Sequence, residues 1–259
     1  MFYILIILLI FIILLVHVFR LTSTYLKTMK IPQIVWKSGP SITENLKMYF
    51  KTFEYDNFPY KVHFLDDEKS REMVKHMKDP RVLEAYDTLI PGAYKADLLR
   101  YILMYLYGGV WSDVKHELRV QLNTLIDINE NLILVKDHNN GIQISFMAAV
   151  PGLKVYHDAI YAVVDNVEKR YYGKCSLCPT GPQLFSKVLR KNKNQRYKII
   201  MKDCYSKLCD IKTKKVLVFK NHNLSPGIPY SHYMPDMHYS HLWKQRKIYK
   251  RKLYNYMIN

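Results

Sequence analysis

Acidic residues are scarce in this 259-residue chain: 22 Asp and Glu stand against 39 Lys and Arg, for a formal net charge of +17. An excess of that size favours polyanions such as anionic membranes, nucleic acid or phosphate-bearing ligands. Glycine is equally sparse, at nine residues, while Lys, Ile, Asn and Tyr abound. AT-rich coding sequence produces that bias unaided, so the charge has a compositional explanation beside the binding one. Internal repeats, low-complexity tracts and RRM, KH or zinc-finger patterns are missing, and the basic residues are dispersed, which argues against a nucleic-acid-binding module. The low apolar content that disorder requires is missing too: 49% of the residues are hydrophobic and 14% aromatic, enough for one sizeable folded domain. Cysteines number four. Pro179 and Gly181 after the Cys175–Cys178 CxxC indicate a loop rather than a thioredoxin-like helix start, and Cys204 and Cys209 have the wrong spacing for a common zinc ribbon. Two disulfides, a four-thiolate zinc site and free thiols all stay open.

Formal charge is absent from Phe2 to Phe19, a run that spans roughly 27 Å as a helix, close to the hydrocarbon thickness of a bilayer. No basic start precedes it and no A-x-A-like site follows before Arg20, so the pattern predicts a single-pass membrane anchor rather than a cleaved signal. The expected division is an anchor at 1–19, a connector at 20–30 and a globular domain at 31–259. Arg20, Lys27 and Lys30 after the span favour a cytoplasmic domain by the positive-inside rule. A type II lumenal arrangement is the alternative, and the side of the membrane stays open.

In the globular part, Ile31–Trp36 predicts a buried strand ended by Ser38-Gly39-Pro40, and a helix follows from Ser41, with Glu44 placed as in a capping box. Tyr60–Asp67 predicts a second strand ending in acids, with a helix after it, the start of an alternating α/β layout. Ligands in such sheets sit beyond the carboxyl ends of the strands, which puts Trp36 and Asp66-Asp67 near one rim. Ala93–Tyr107 has the spacing of a mostly buried helix. Asp97 and Arg100, three apart, share one of its faces, and spacing alone makes them an intrahelical ion pair. After Gly108-Gly109, Val110–Val120 alternates as one strand with Asp113, Lys115 and Glu117 on a common face. Asn131–Asp137, Ile144–Val150 and Lys214–Lys220 are further strands. Helices are expected at Asp158–Tyr172 and after Gly181-Pro182.

The segments IPQIVWKSGP, LIPGAYKADLLRYILMYLYGGVWSDVK, SFMAAVPG, PTGPQLF and HYSHLWKQRKIY together resemble the glycosyltransferase family 32 sugar transferases, which carry a DxD-containing sugar-binding region. The central stretch is the specific part. The resemblance implies an α/β GT-A fold, Rossmann-like and nucleotide-sugar-binding, behind the N-terminal helix. It also implies a hexose transferred from a UDP- or GDP-linked donor to a glycan or other hydroxyl acceptor, commonly with retention, and a bound Mn²⁺ or Mg²⁺. By resemblance, Trp36 lies against the nucleobase, Asp97 accepts hydroxyl hydrogen bonds, Arg100 meets the sugar or diphosphate, and Gly108-Gly109 turns the backbone into the strand presenting Asp113. Trp243 closes a late loop over the diphosphate, with His241 beside it.

One position departs from the pattern. GGVWSDVK carries Lys115 where the family's second acid stands. Lys115 then stabilises the departing diphosphate as a point charge; or Asp113 holds metal with His238 or His241 and diphosphate oxygens; or catalysis is lost and the chain is a glycosyltransferase-like membrane scaffold or binding protein. Glu117 is expected to be a solvated or structural acid, and the basic C-terminal run to face solvent or lipid.

Overall fold

The structure is a computed structural model describing residues 12–16, 30–54, 57, 59–139, 141–220 and 238–251. The predicted anchor and connector fall almost wholly outside these; residues 12–16 are helical and exposed. No helix among the described residues is long and apolar enough to cross a membrane.

The chain runs β1 (Ile34–Ser38), α1 (Glu44–Glu54), β2 (Lys61–Leu65), α2 (Asp67–Lys75), α3 (Pro80–Thr88), α4 (Gly92–Leu106), β3 (Gly109–Ser112), β4 (His116–Leu118) and α5 (Leu122–Leu125). It continues through β5 (Leu132–Lys136), β6 (Ile142–Ala149), α6 (Lys154–Glu168), α7 (Pro182–Lys191), β7 (Lys198–Asp203), β8 (Lys207–Asp210), β9 (Val216–Lys220) and α8 (Tyr239–Lys244). The strands make one sheet in the order β2-β1-β3-β6-β5-β7-β8-β9-β4. β2, β1 and β3 are parallel, as the alternating layout predicts, and β6 then pairs antiparallel with β3.

Local chemistry explains most element starts. Asp66 caps α2 by accepting from the Lys69 N–H at 2.8 Å, so the acids expected to finish a strand instead begin a helix. Asp79 caps α3 and Pro80 takes its first turn, where the missing N–H costs nothing. Leu46, Tyr49, Phe50 and Phe53 repeat at helical spacing and are the buried face of α1. In α4, Leu98, Leu99, Tyr101, Ile102, Leu103 and Met104 are all at most 1% exposed. Burial of each contributes about 1.5–3 kcal/mol, which is why this helix anchors the core on its side of the sheet.

The strand predicted over Val110–Val120 breaks in two. The His116 N–H bonds the Asp113 carbonyl at 2.9 Å and turns the chain, after which β4 pairs with β9 at the far edge of the sheet. Asp113, Lys115 and Glu117 therefore do not share a strand face, and Glu117 pairs with Arg119 at 2.9 Å.

Gly108 and Gly109 sit at φ +63° and +91°. A Cβ at Gly108 would come 2.6 Å from the Ala149 carbonyl oxygen, and one at Gly109 2.6 Å from that of Ile34. Both glycines are thus required by backbone conformation and by close packing.

Lys37 on β1 is fully buried. Its ammonium donates to Ser112 Oγ at 3.3 Å and the Asp113 carbonyl at 3.1 Å, and lies 4.0 Å from the centre of the Phe53 ring. Burial pushes its pKa down from 10.5 to about 7, and the nearby Asp113 charge only partly offsets this.

Two outcomes follow from these features. Gly109→Ala should lower stability by about 1–3 kcal/mol, the usual range for a residue forced into a disfavoured backbone region, read as a lower urea midpoint; an unchanged midpoint would contradict the close approach. Between pH 7 and 10 the unfolded chain binds a proton at Lys37 that the folded chain has lost, so stability should rise with pH across this window. The slope from this one group is at most about 1.4 kcal/mol per pH unit. Lys37→Met should remove that increment when urea midpoints at pH 7 and 9 are compared.

Candidate active site

The carboxyl ends of the parallel strands open into a cleft of ≈ 240 Å³. Asp97 and Arg100 enter it from α4, Asp113 from just beyond β3, and Gln143 and Ser145 from β6. The antiparallel β3–β6 register places Ser112 opposite Phe146, and the Asp113 N–H extends it by bonding the Ser145 carbonyl at 2.9 Å. Leu177 and Pro182 close one side, and Tyr94 and Tyr239 line another.

Arg100 is the centre of this cluster and is 6% exposed. Its Nη2 lies 3.2 Å from Asp97 Oδ1, and its Nη1 lies 3.5 Å from Asp113 Oδ1 while donating to the Ile144 carbonyl at 2.6 Å. Its guanidinium stands 4.8 Å from the Trp111 ring centre, within cation–π range. The intrahelical pair suggested by spacing is present and is one half of a carboxylate–guanidinium–carboxylate bridge.

The two acids differ in environment. Asp97 is buried and accepts from Thr180 Oγ1 at 2.8 Å. Desolvation raises its pKa to about 6, opposed by Arg100 and the Thr180 hydrogen bond and reinforced by Asp113. The Asp113 side chain is 42% exposed. Its Oδ1 accepts from Trp111 Nε1 at 3.0 Å, while Oδ2 takes no hydrogen bond from a described residue. Asp113 therefore has the more available carboxylate oxygen of the cleft.

Other expected site residues lie elsewhere. Trp36 is 5% exposed, packs in the core and donates from Nε1 to the Gly108 carbonyl at 2.8 Å. Its ring does not line the cleft, and its N–H braces the glycine turn. Trp243 donates from Nε1 to the Tyr172 carbonyl at 2.7 Å, so its N–H is already engaged away from the cleft. His241 is absent from the lining and contacts Gln245 Nε2 at 2.5 Å; His238 caps α8. Lys115 sits in the turn after Asp113, partly buried, where desolvation lowers its pKa. It neither lines the cleft nor pairs with a described carboxylate.

Among the described residues no group of three or more His, Cys, Asp or Glu is placed to hold a metal ion. The expected Asp113–His241 pair does not form part of such a set. Asp113 alone, with a free hard oxygen, suits one coordination position of Mg²⁺ or Mn²⁺.

Tyr94, Gln143, Ser145, Leu177, Thr180 and Lys37 escaped the sequence reading. Thr180 stands in the PTGP segment singled out there, but only the fold shows its hydroxyl on Asp97. Cys175 and Cys178 form a disulfide, while Cys204 and Cys209 are free.

Residues 43–132 match the family model described as a glycosyltransferase sugar-binding region containing a DXD motif. An uncharacterised glycosyltransferase of Acanthamoeba polyphaga mimivirus is 26% identical over 160 residues, covering 60% of this chain and 63% of the relative. The initiation-specific alpha-1,6-mannosyltransferase of Candida albicans is 26% identical over 118 residues, 44% of this chain and 30% of that protein. The match thus spans under two thirds of the first relative's length and under one third of the second's. Among solved structures, PaToxG glycosyltransferase superposes with a TM-score of 0.52 at 14% identity, over 67% of this chain and 76% of that one, a likeness of fold. The match across α1 to β5 contains Asp97, Arg100 and Asp113, and both relatives are glycosyltransferases, so this chain is similar over that segment to glycosyltransferases with a DXD-containing sugar-binding region.

Proposed function

We propose that this chain is a nucleotide-sugar-dependent glycosyltransferase that moves a hexose from a UDP- or GDP-linked donor to a hydroxyl on a glycan or related acceptor. The observation that carries the reading is the bridge of Asp97, Arg100 and Asp113 lining one cleft beyond the strand ends, inside the segment that matches the sugar-binding family. The ≈ 240 Å³ cleft is below the range of roughly 300–1,000 Å³ usual for drug-sized ligands, and suits the sugar end of a donor.

The residues divide the work by environment. Asp113 presents its uncommitted oxygen to a sugar hydroxyl or to a divalent cation. Arg100, held in place on several sides, supplies fixed positive charge without reorganising as the bond to the diphosphate breaks, the condition under which electrostatic stabilisation is most effective. Asp97 and Thr180 hold Arg100 in register. A divalent cation at Asp113 would supply Lewis-acid stabilisation of the leaving diphosphate, with donor oxygens and water completing its shell. Asp97 is buried and bonded on both oxygens, so it is poorly placed as a nucleophile; where configuration is retained, departure and attack then take place on one face of the sugar. The uncharged run Phe2–Phe19 supports tethering of this enzyme to a membrane.

Lys115 in the second acidic position motivates the rival reading of an inactive binding protein. Donor turnover measured across UDP- and GDP-sugars, with Mn²⁺, with Mg²⁺ and with EDTA, separates the two. At least one donor should be consumed, and Asp113→Asn should reduce its kcat about 10²-fold or more, as loss of a transition-state contact does. Failure of every donor to bind or react would leave the binding-protein reading standing.

A further inference from the structure

The loop joining α6 to α7 supplies part of the cleft wall through Leu177. It is fastened to the helical layer beneath it. The Ser176 carbonyl accepts from Tyr94 Oη at 2.5 Å, the Thr180 carbonyl from Tyr101 Oη at 2.9 Å, and the Pro179 carbonyl from Asn166 Nδ2 at 2.8 Å. The Cys175–Cys178 disulfide, with Cα atoms 5.4 Å apart, closes the segment Ser176-Leu177 into a tight ring, and the Cys178 N–H bonds the Cys175 carbonyl at 3.0 Å inside it. The residue between the cysteines that reaches the cleft is Leu177.

The lining also includes polar groups. Gln143 Oε1 accepts from both the N–H and the Oγ of Ser145, at 2.9 and 2.7 Å, so its NH₂ makes no hydrogen bond to a described residue. Asp113 keeps one carboxylate oxygen uncommitted. A sugar whose hydroxyls meet these groups shares the cleft with the apolar wall at Leu177. Such a wall accepts a C–H-rich edge and opposes added bulk or a polar substituent, which would lose its water without gaining a partner.

We propose that Leu177 is a donor-specificity residue that excludes hexoses carrying a bulky substituent such as an acetamido group, and that the Cys175–Cys178 bond holds it in that place. The inference rests on the glycosyl-transfer reading above. Apolar-pocket discrimination of this kind is worth roughly 10–200-fold.

The test compares kcat/KM for a UDP-hexose with that for the matching UDP-N-acetylhexosamine, or the GDP pair if that base is used, in the full chain. Leu177→Ala should shift the ratio toward the acetamido donor by about tenfold or more, while Leu177→Met, which conserves volume, should keep the wild-type preference. The Cys175→Ser/Cys178→Ser double variant should raise KM for the hexose donor more than it lowers kcat and should shift the ratio in the same direction. An active Leu177→Ala enzyme with an unchanged ratio overturns the specificity role. An unchanged ratio and KM in the cysteine variant overturns the holding role. A wild-type chain that turns over no donor defeats the glycosyl-transfer reading first, an outcome distinct from either.

Discussion

A single buried guanidinium organises the site. Arg100 cannot be left unpaired at its depth, because an isolated charge away from water is far less stable than one that is paired and hydrogen-bonded. Its partners come from four places in the chain: its own helix, β6 through the Ile144 carbonyl, the turn after β3 through Asp113, and, by way of Asp97, the Thr180 loop. Satisfying this one side chain therefore brings together elements far apart in sequence. The cleft between them is formed by the same contacts that pair and hydrogen-bond Arg100.

The two carboxylates show how environment assigns roles to identical groups. Asp97 is desolvated and bonded on both oxygens, with a raised pKa, and its work is internal. Asp113 lies half in solvent with one oxygen uncommitted, and its work is toward the ligand. Behind it, Lys37 donates to its carbonyl from a fully buried position. A buried hydrogen-bond donor thus reaches the Asp113 turn from the β1 side of the sheet, while Lys115 stays outside the cleft.

Much of the fold was legible because periodicity reports burial. The apolar spacing through α4 and the β5 and β6 runs located those elements closely, and Asp97, Arg100 and Asp113 do line one cleft. The single strand expected at Val110–Val120 failed for a physical reason: alternation continues across the Asp113–His116 turn, and nothing local says that β4 leaves to pair with β9. Likewise β7 and β8 are short and partly exposed, with weak patterns. Trp36 illustrates another limit, since an indole at a strand end reads equally as a platform or a brace until the Gly108 carbonyl is seen opposite its N–H. The Asp79-Pro80 helix start was present in the sequence as a cap followed by proline, and its chemistry alone would have located α3.

The paired glycines after α4 have a consequence for how this chain can change. Its composition is rich in Lys, Ile, Asn and Tyr, and glycine is among its least abundant residues. At Gly108 and Gly109 substitution meets a barrier of atoms: any replacement brings a Cβ against the carbonyl of Ala149 or of Ile34. Those two positions are held by a backbone that belongs to other strands, so the basic surface of the protein can be reshaped by substitution while the turn that presents Asp113 cannot.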